Sequence, residues 1–459
     1  MTTRYDAIII GTGQSGPALA DRMDDEGVKV AVIERHLYGG TCVNVGCIPT
    51  KTLVASARAA HIARRAADFG VVIDGAVQVD MKKVKARQDE ISGNSHSGVS
   101  GWLESLDHAT LYKGHGRLAG PNQVRVNDEL LEADKIYLNV GARAFVPPIP
   151  GIDGVDYLTN STVLALDSLP AHLIIIGGSY IGLEFAQIYR RFGSQVTLVE
   201  QETRLIPRED EDVSAAIKEI LEKEGIDIRL DARVERVEKQ GEGTAVHLQT
   251  PEGARQLKGS HLLIAVGRRP NTDDLDLDKA GVEVDARGFI QVDDELRTSA
   301  PGIWAMGDCN GRGAFTHTSY NDFEIIAANL FDQDRRRVSD RILCYGLFID
   351  PPLGRVGMTE EQVRASGRNV LVGKRMMADV GRAKERSETD GFMKVYIDAD
   401  SNEILGAAIL GIGGDEVVHS LLDAMYAKTP YTTIQRAVHI HPTVTELIPT
   451  MLGELEALD

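Results

Sequence analysis

Ala7-Ile-Ile-Ile-Gly11-Thr-Gly13-Gln-Ser-Gly16 is the stretch that decides the fold of this chain. Four apolar residues in a row, closed by glycine, read as a buried parallel strand. The glycines that follow have the spacing G-x-G-x-x-G. The first permits a tight turn, the second lets the backbone approach a pyrophosphate, and the third lets a helix pack on the strand. The start of that helix would offer free N–H groups to the phosphates. A second apolar run, Val30-Ala-Val-Ile-Glu34, ends in an acid able to accept hydrogen bonds from a ribose. Together these make a βαβ nucleotide-binding unit.

The unit occurs twice. Leu173-Ile-Ile-Ile-Gly177-Gly-Ser179-Tyr180-Ile-Gly182 repeats the strand and turn, and Val196-Thr-Leu-Val-Glu200 repeats the strand ending in an acid. Twenty-three positions separate Gly11 from Glu34, and the same number separate Gly177 from Glu200. Two copies with equal spacing are far more specific than a lone glycine motif. In the second copy serine stands for the middle glycine, so Ser179 crowds the closest phosphate approach. Glu200 favours a free ribose 2′-hydroxyl and hence NAD over NADP, and nearby Arg204 is the residue able to hold a 2′-phosphate.

Between the units, residues 52–68 and 81–106 read as helices, and residues 109–146 read as a small meander with turn signals at Gly120-Pro-Asn122 and Asn127-Asp128. Ile136–Gly141 reads as a strand returning to the first unit. Pro147-Pro-Ile-Pro-Gly151 is a linker. A matching meander at about 226–260 and a matching return strand, His261–Gly267, follow in the second unit. Gly302-Ile-Trp-Ala-Met-Gly307-Asp308 is a further short strand. Beyond residue 340 the pattern becomes α+β, with strands expected at 370–377, 391–398 and 405–411 and helices at 360–366 and 415–427. The expected fold class is α/β with two Rossmann-like domains and a C-terminal α+β domain.

Eight residues after Glu34 comes Cys42, and Cys47 follows in Gly39-Gly-Thr-Cys42-Val-Asn-Val-Gly46-Cys47-Ile-Pro-Thr-Lys51. The chain has only four cysteines in 459 residues. Two of them falling here argue for a redox dithiol rather than buried structural cysteines. Gly46 would let the chain bend so that the two sulfurs meet. Lys51 and a helix starting near Thr41 would lower a thiol pKa. Cys309 and Cys344 read as buried core. Near the C-terminus, His441-Pro-Thr-Val-Thr-Glu446 pairs a histidine with a carboxylate, a general acid/base that thiol–disulfide exchange needs. His439 lacks such a partner and reads as structural.

The charge of −18 is spread along the chain, which argues against a nucleic-acid partner. The cysteine spacing is neither that of a disulfide framework nor that of a zinc site, so no metal is expected. No charged leader with an apolar core and no apolar run of about 18 residues is evident, so neither a signal peptide nor a membrane span is expected. A reducing, cytoplasmic compartment suits the sparing use of cysteine.

These motifs, with GRRPN at 267–271 and HPTVTE at 441–446, resemble the flavoprotein pyridine-nucleotide disulfide oxidoreductases over nearly the whole chain. The resemblance implies FAD at Gly11, Gly13, Gly16, Glu34, Gly40, Thr41, Lys51, Gly141 and Asp308. It implies NADH or NADPH, with NADH favoured, at Gly177, Ser179, Tyr180, Gly182, Glu200 and Gly267, with Tyr180 as a gate. Cys47 would be the sulfur nearest the flavin and Cys42 the sulfur that meets the substrate, the two closing as a redox disulfide. Lys51 would pair with Glu184. His441 and Glu446 would reach the dithiol of the other subunit, so a homodimer is implied. The domains implied are 1–150 and 271–339 for FAD, 151–270 for the nicotinamide nucleotide and 340–459 for the interface. The expected reaction passes a hydride from NAD(P)H through FAD and the sulfurs to a small disulfide or a metal ion, as in the mercuric-reductase-like branch. The alternatives are a dihydrolipoamide dehydrogenase of a 2-oxoacid dehydrogenase complex and a redox-sensing flavoprotein that acts by binding.

Overall fold

Each of the two repeated units folds around a five-stranded parallel sheet. In the first, the strand order is Ile303–Ala305, Lys135–Leu138, Ala7–Ile10, Val30–Glu34, Ala109–Lys113. In the second it is Tyr157–Leu158, His261–Ile264, His172–Ile176, Gln195–Val199, Asp227–Arg229. The two orders correspond strand for strand. The computed structural model describes residues 2–458.

The apolar runs lack alternation because both sheet faces are covered. Ala7 and Ile9 pack towards Leu19 of helix α1 (Ser15–Asp25), while Ile8 and Ile10 pack towards Leu118 and Val124 of the small antiparallel sheet. The second unit repeats this. Leu173 and Ile175 face Leu183 and Phe185, whereas Ile174 and Ile176 face Val246 and Leu248.

The expected meanders differ in one respect. Ala109–Lys113 and Asp227–Arg229 are the outer strands of the parallel sheets, not meander strands. As edge strands they are only partly buried, Ala109 and Leu111 packing on one face and Tyr112 on the other, while Asp227–Arg229 buries Ile228 alone. The first antiparallel sheet holds Gly116–Gly120, Gln123–Val126 and Glu129–Glu132, with Thr2–Arg4 added in parallel.

Helix α2 spans Gly40–Val45, and α3 spans Cys47–Arg64. The α3 helix starts at Cys47 rather than at residue 52, because Pro49 lies in its first turn, where the missing N–H has no intrahelical partner to lose. Helix α4 covers Met81–Glu104, capped by the Asp80 carboxylate, which accepts from Lys83 N. Helix α5 runs Tyr180–Phe192 and α6 Glu211–Lys223.

The C-terminal part is a six-stranded antiparallel sheet in the order Cys344–Leu347, Leu353–Gly357, Ile404–Leu410, Phe392–Asp398, Val370–Met376, Glu456–Ala457. Only its three longest strands were legible, since the others are short or carry glycine. The helix expected at 415–427 divides at Val418 into Gly414–Val417 and His419–Tyr426. The three parts are tied by buried charge. Arg191, with its side chain 4% exposed, binds Glu224 at 2.7 Å and Asp350 at 2.6 Å, and Arg58 of α3 joins the same Asp350. Removing one member of such a set strands a charge and costs about 3–5 kcal/mol.

The chain adds Val30–Glu34 on one side of Ala7–Ile10 and returns on the other side as Lys135–Leu138. The switch point therefore falls between Gly11 and Asn139, at the carboxyl ends of the strands, where open α/β sheets bind ligands.

Candidate active site

Gly11 has φ +101°, and a Cβ there would lie 2.3 Å from the Asn139 carbonyl oxygen. A Cβ on Gly16 would meet the Gly11 carbonyl oxygen at the same distance, and one on Gly40 would lie 2.8 Å from Gly13 Cα. The result is a backbone cradle with no room for side chains. Gly13, Glu34, Gly40, Thr41, Asn139 and Gly141 line the crevice above it. Glu34 Oε2 accepts from Thr12 N at 3.0 Å and Thr12 Oγ1 at 2.6 Å, and Oε1 accepts from His36 N at 2.7 Å. The carboxylate is thus held in place at the end of its strand.

Asn139 is a buried residue that sequence reasoning missed. Its Oδ1 accepts from Gly16 N at 3.2 Å, and its amide donates to the Met306 carbonyl at 3.2 Å. It joins the glycine turn to the turn carrying Asp308. Asp308 lies 3.4 Å from Arg268, and burial pushes its carboxyl up from the usual range. Cradle, acid and helix N-terminus together fit the pyrophosphate and ribose of a dinucleotide such as FAD.

The second unit has the same cradle. A Cβ on Gly177 would lie 2.4 Å from the Ala265 carbonyl oxygen, and one on Gly182 2.0 Å from the Gly177 carbonyl oxygen. Ser179 is extended at the start of α5 and makes no capping hydrogen bond with its side chain. Glu200 accepts from Gly178 N at 2.6 Å and Glu202 N at 3.0 Å. Gly178, which carried no signal of its own, is what lets Glu200 fold this close, since a Cβ there would sit 3.0 Å from the carboxylate. Arg204 donates to the Pro207 carbonyl at 2.8 Å. Gly267 has φ +138° at the end of the return strand.

Cys42 lies in α2 and Cys47 opens α3, with the chain turning at Gly46, where a Cβ would sit 2.8 Å from the Thr41 carbonyl oxygen. Both cysteines are free thiols here. The Cys42 thiol hydrogen-bonds Cys47. That bond pulls the Cys47 pKa down to about 6 against the opposing effect of burial, with the Thr316 hydroxyl and the Lys51 ammonium adding to it. The same bond, then burial, raises Cys42. The contacts of Cys47 with Thr316 and Lys51 thus favour the charge of the pair on that sulfur.

Lys51 donates to Glu184 of α5 at 2.8 and 3.0 Å and lies 4.4 Å from the centre of the Phe348 ring. Glu184 is buried and also accepts from Phe348 N at 3.1 Å. Thr316, the first residue of α7 (Thr316–Ala327), sits 3.1 Å from Cys47 Sγ. Nothing local marked Thr316, which lies 269 positions from its partner.

Thr316→Val should weaken the thiolate. Cys47 is ionised above about 6 and protonated below it. Losing a donor to the anion moves that midpoint upward, towards an ordinary thiol, by about one unit. The pH profile of Cys47 alkylation by iodoacetamide, followed by mass spectrometry, reads this directly. An unmoved midpoint would mean that Thr316 donates nothing to the sulfur.

His441 Nδ1 lies 3.0 Å from Glu446 Oε2, so the structure brings this pair together. The Glu446 side chain is mostly buried, whereas that of His441 is 82% exposed. Among the described residues no contact joins either of them to Cys42 or Cys47. Val438 and Ile440 beside them are exposed apolar side chains. His439 is partly exposed and, among the described residues, reaches only the Ala437 carbonyl. Cys309 is fully buried, but Cys344 is only half-buried, contrary to expectation, because Cys344–Leu347 is an edge strand. No described helix is long and apolar enough to cross a membrane.

Comparison with known proteins agrees with this geometry. A family model for pyridine nucleotide-disulphide oxidoreductases matches residues 5–322, and one for their dimerisation domain matches residues 344–452. The probable pyridine nucleotide-disulfide oxidoreductase RclA of Escherichia coli is 37% identical over 451 residues, covering 96% of this chain and 97% of the relative. A dihydrolipoyl dehydrogenase of Thermus scotoductus is 34% identical, covering 96% and 95%. A mercuric reductase of Streptomyces lividans is 34% identical, covering 97% and 95%. The solved structure of the HOCl-induced flavoprotein disulfide reductase RclA from Escherichia coli superposes with a TM-score of 0.90 at 35% identity, over 98% of this chain and 100% of that one. Its Cu(II) complex gives 0.89, covering 98% and 99% at the same identity.

Proposed function

This chain belongs to the pyridine nucleotide-disulphide oxidoreductase family, and from that membership we propose that it carries electrons from NADH through the Cys42/Cys47 pair to a metal ion or small disulfide. The family implies FAD and a pyridine nucleotide as cofactors and a homodimer as the assembly. Bound FAD supplies the passage of a hydride's electron pair from the nicotinamide to the sulfurs. The observation that carries the reading is the asymmetric dithiol beside the Lys51–Glu184 pair, at the edge of the glycine cradle.

In this reading residues 1–150 and 271–339 hold FAD, residues 151–270 hold the nicotinamide nucleotide, and residues 340–459 pair the subunits. Lys51 and Thr316 hold Cys47 as the anion facing the flavin. Cys42, the protonated thiol, is the sulfur that exchanges with substrate. Glu200 favours NADH, because its carboxylate is fixed where a 2′-phosphate would bring more negative charge, and Arg204 is engaged with Pro207. Tyr180 gates the nicotinamide pocket. The working compartment we assign is the cytoplasm, on the sparing use of cysteine.

The electrons balance for either acceptor. One hydride with one proton opens one disulfide to two thiols. The same pair of electrons takes two Cu(II) to Cu(I) and leaves one proton. The Cu(II) complex of the similar RclA supports the metal reading. The His441–Glu446 pair supports a disulfide, whose leaving thiolate needs a proton.

Anaerobic addition of one equivalent of NADH to the oxidised holoenzyme should create two new thiols, at Cys42 and Cys47. Reoxidation by lipoamide marks the disulfide acceptor, and reoxidation by Cu(II) alone marks the metal. Consumption of NADH without new thiols would overturn both readings.

A further inference from the structure

Tyr180 meets two other rings. It stands edge-on to Tyr345 at 5.6 Å and 85° and edge-on to Phe315 at 6.0 Å and 88°, while Tyr345 stacks on Phe315 at 5.5 Å and 10°. The Tyr345 hydroxyl donates to Glu209 Oε1 at 2.6 Å. The other oxygen of Glu209 accepts from Arg355 Nε at 3.0 Å, and Arg355 also binds Asp210 at 2.9 Å. The side chains of Arg355, Glu209 and Asp210 are fully buried.

The placement is specific. Tyr345 and Arg355 are cross-strand partners in the C-terminal sheet, so both reach the same carboxylate from adjacent strands. Glu209 and Asp210 immediately precede α6 of the second unit. The ring against which Tyr180 rests is therefore fastened at its far end to a charge cluster that cannot move without exposing an ion pair to an apolar interior. A free aromatic ring would let Tyr180 swing; a tethered one holds it.

We propose that Tyr345 is a positioning residue for the Tyr180 gate, its bond to Glu209 setting how much of the enzyme stands open to the nicotinamide nucleotide. The proposal rests on the reading of Tyr180 as that gate. A pocket open only part of the time binds its ligand more weakly by that fraction, so loosening the tether strengthens apparent binding.

Tyr345→Phe keeps the ring and removes the tether. In the FAD-loaded dimer the KM and the fluorescence-measured Kd for NADH should fall by about 3- to 10-fold, the size of one hydrogen bond. The rate at which chemically reduced enzyme passes electrons to its acceptor should not change, whereas a general loss of packing would slow both half-reactions. In a Tyr180→Ala background Tyr345→Phe should add nothing. If Tyr180→Ala leaves the KM for NADH unmoved, the gate reading fails. If Tyr180→Ala moves it and Tyr345→Phe does not, the positioning role alone fails. Should Tyr345→Phe give no holo-dimer, Glu209→Asp draws the acceptor back from the hydroxyl with the charge kept and should lower KM in the same way; an unchanged KM there overturns the role.

Discussion

Replacing Cys42 with serine is expected to cut NADH-dependent reduction of disulfide acceptors by about 10³-fold or more, the scale of losing a nucleophile. Serine cannot form the mixed disulfide through which exchange proceeds. The variant should nevertheless keep its cofactor, because Cys42 lies in α2 and the cradle is made of backbone. It should also keep Cys47 ionised. The strongest stabilisation of that anion is the hydrogen bond from residue 42, and a serine hydroxyl still donates one. The assay is steady-state turnover with lipoamide and with Cu(II), alongside flavin content. Full activity on every acceptor would end the dithiol relay as an account of this protein.

His441→Gln should lower disulfide turnover by about 10²- to 10⁴-fold, the range of general acid–base catalysis. Its geometry makes a sharper test available. The imidazole is fixed by Glu446 but turned outwards, next to exposed Val438 and Ile440. In the proposed reading such a group would serve a sulfur on the partner chain. Two dead variants should then complement each other. A purified heterodimer of one Cys42→Ser chain and one His441→Gln chain holds one complete site out of two, so it should regain about half of the wild-type rate. No recovery would mean that the pair acts within its own chain or not at all.

Much of the candidate site lies in three short segments. Gly11 to Glu34, Gly177 to Glu200 and Cys42 to Lys51 are local patterns. Their spacing reflects backbone geometry and the burial of a strand on both faces, and those constraints act between near neighbours. The misread outer strands, Ala109–Lys113 and Asp227–Arg229, show where the same logic stops. An edge strand is only partly buried whichever sheet it joins, so its residues do not say which.

The amino-acid sequence by itself determined the two glycine-turn βαβ units, the close pair of cysteines and the acid that ends the second strand of each unit. Only the tertiary structure decided which hydroxyl meets Cys47 and which rings surround Tyr180. Asn139 is 123 positions from Gly16, Thr316 is 269 from Cys47, and Tyr345 is 136 from Glu209. Contacts over such separations have no period and no motif. They come into being only when sheets pack, and packing then fixes the distances that set each proton and each charge.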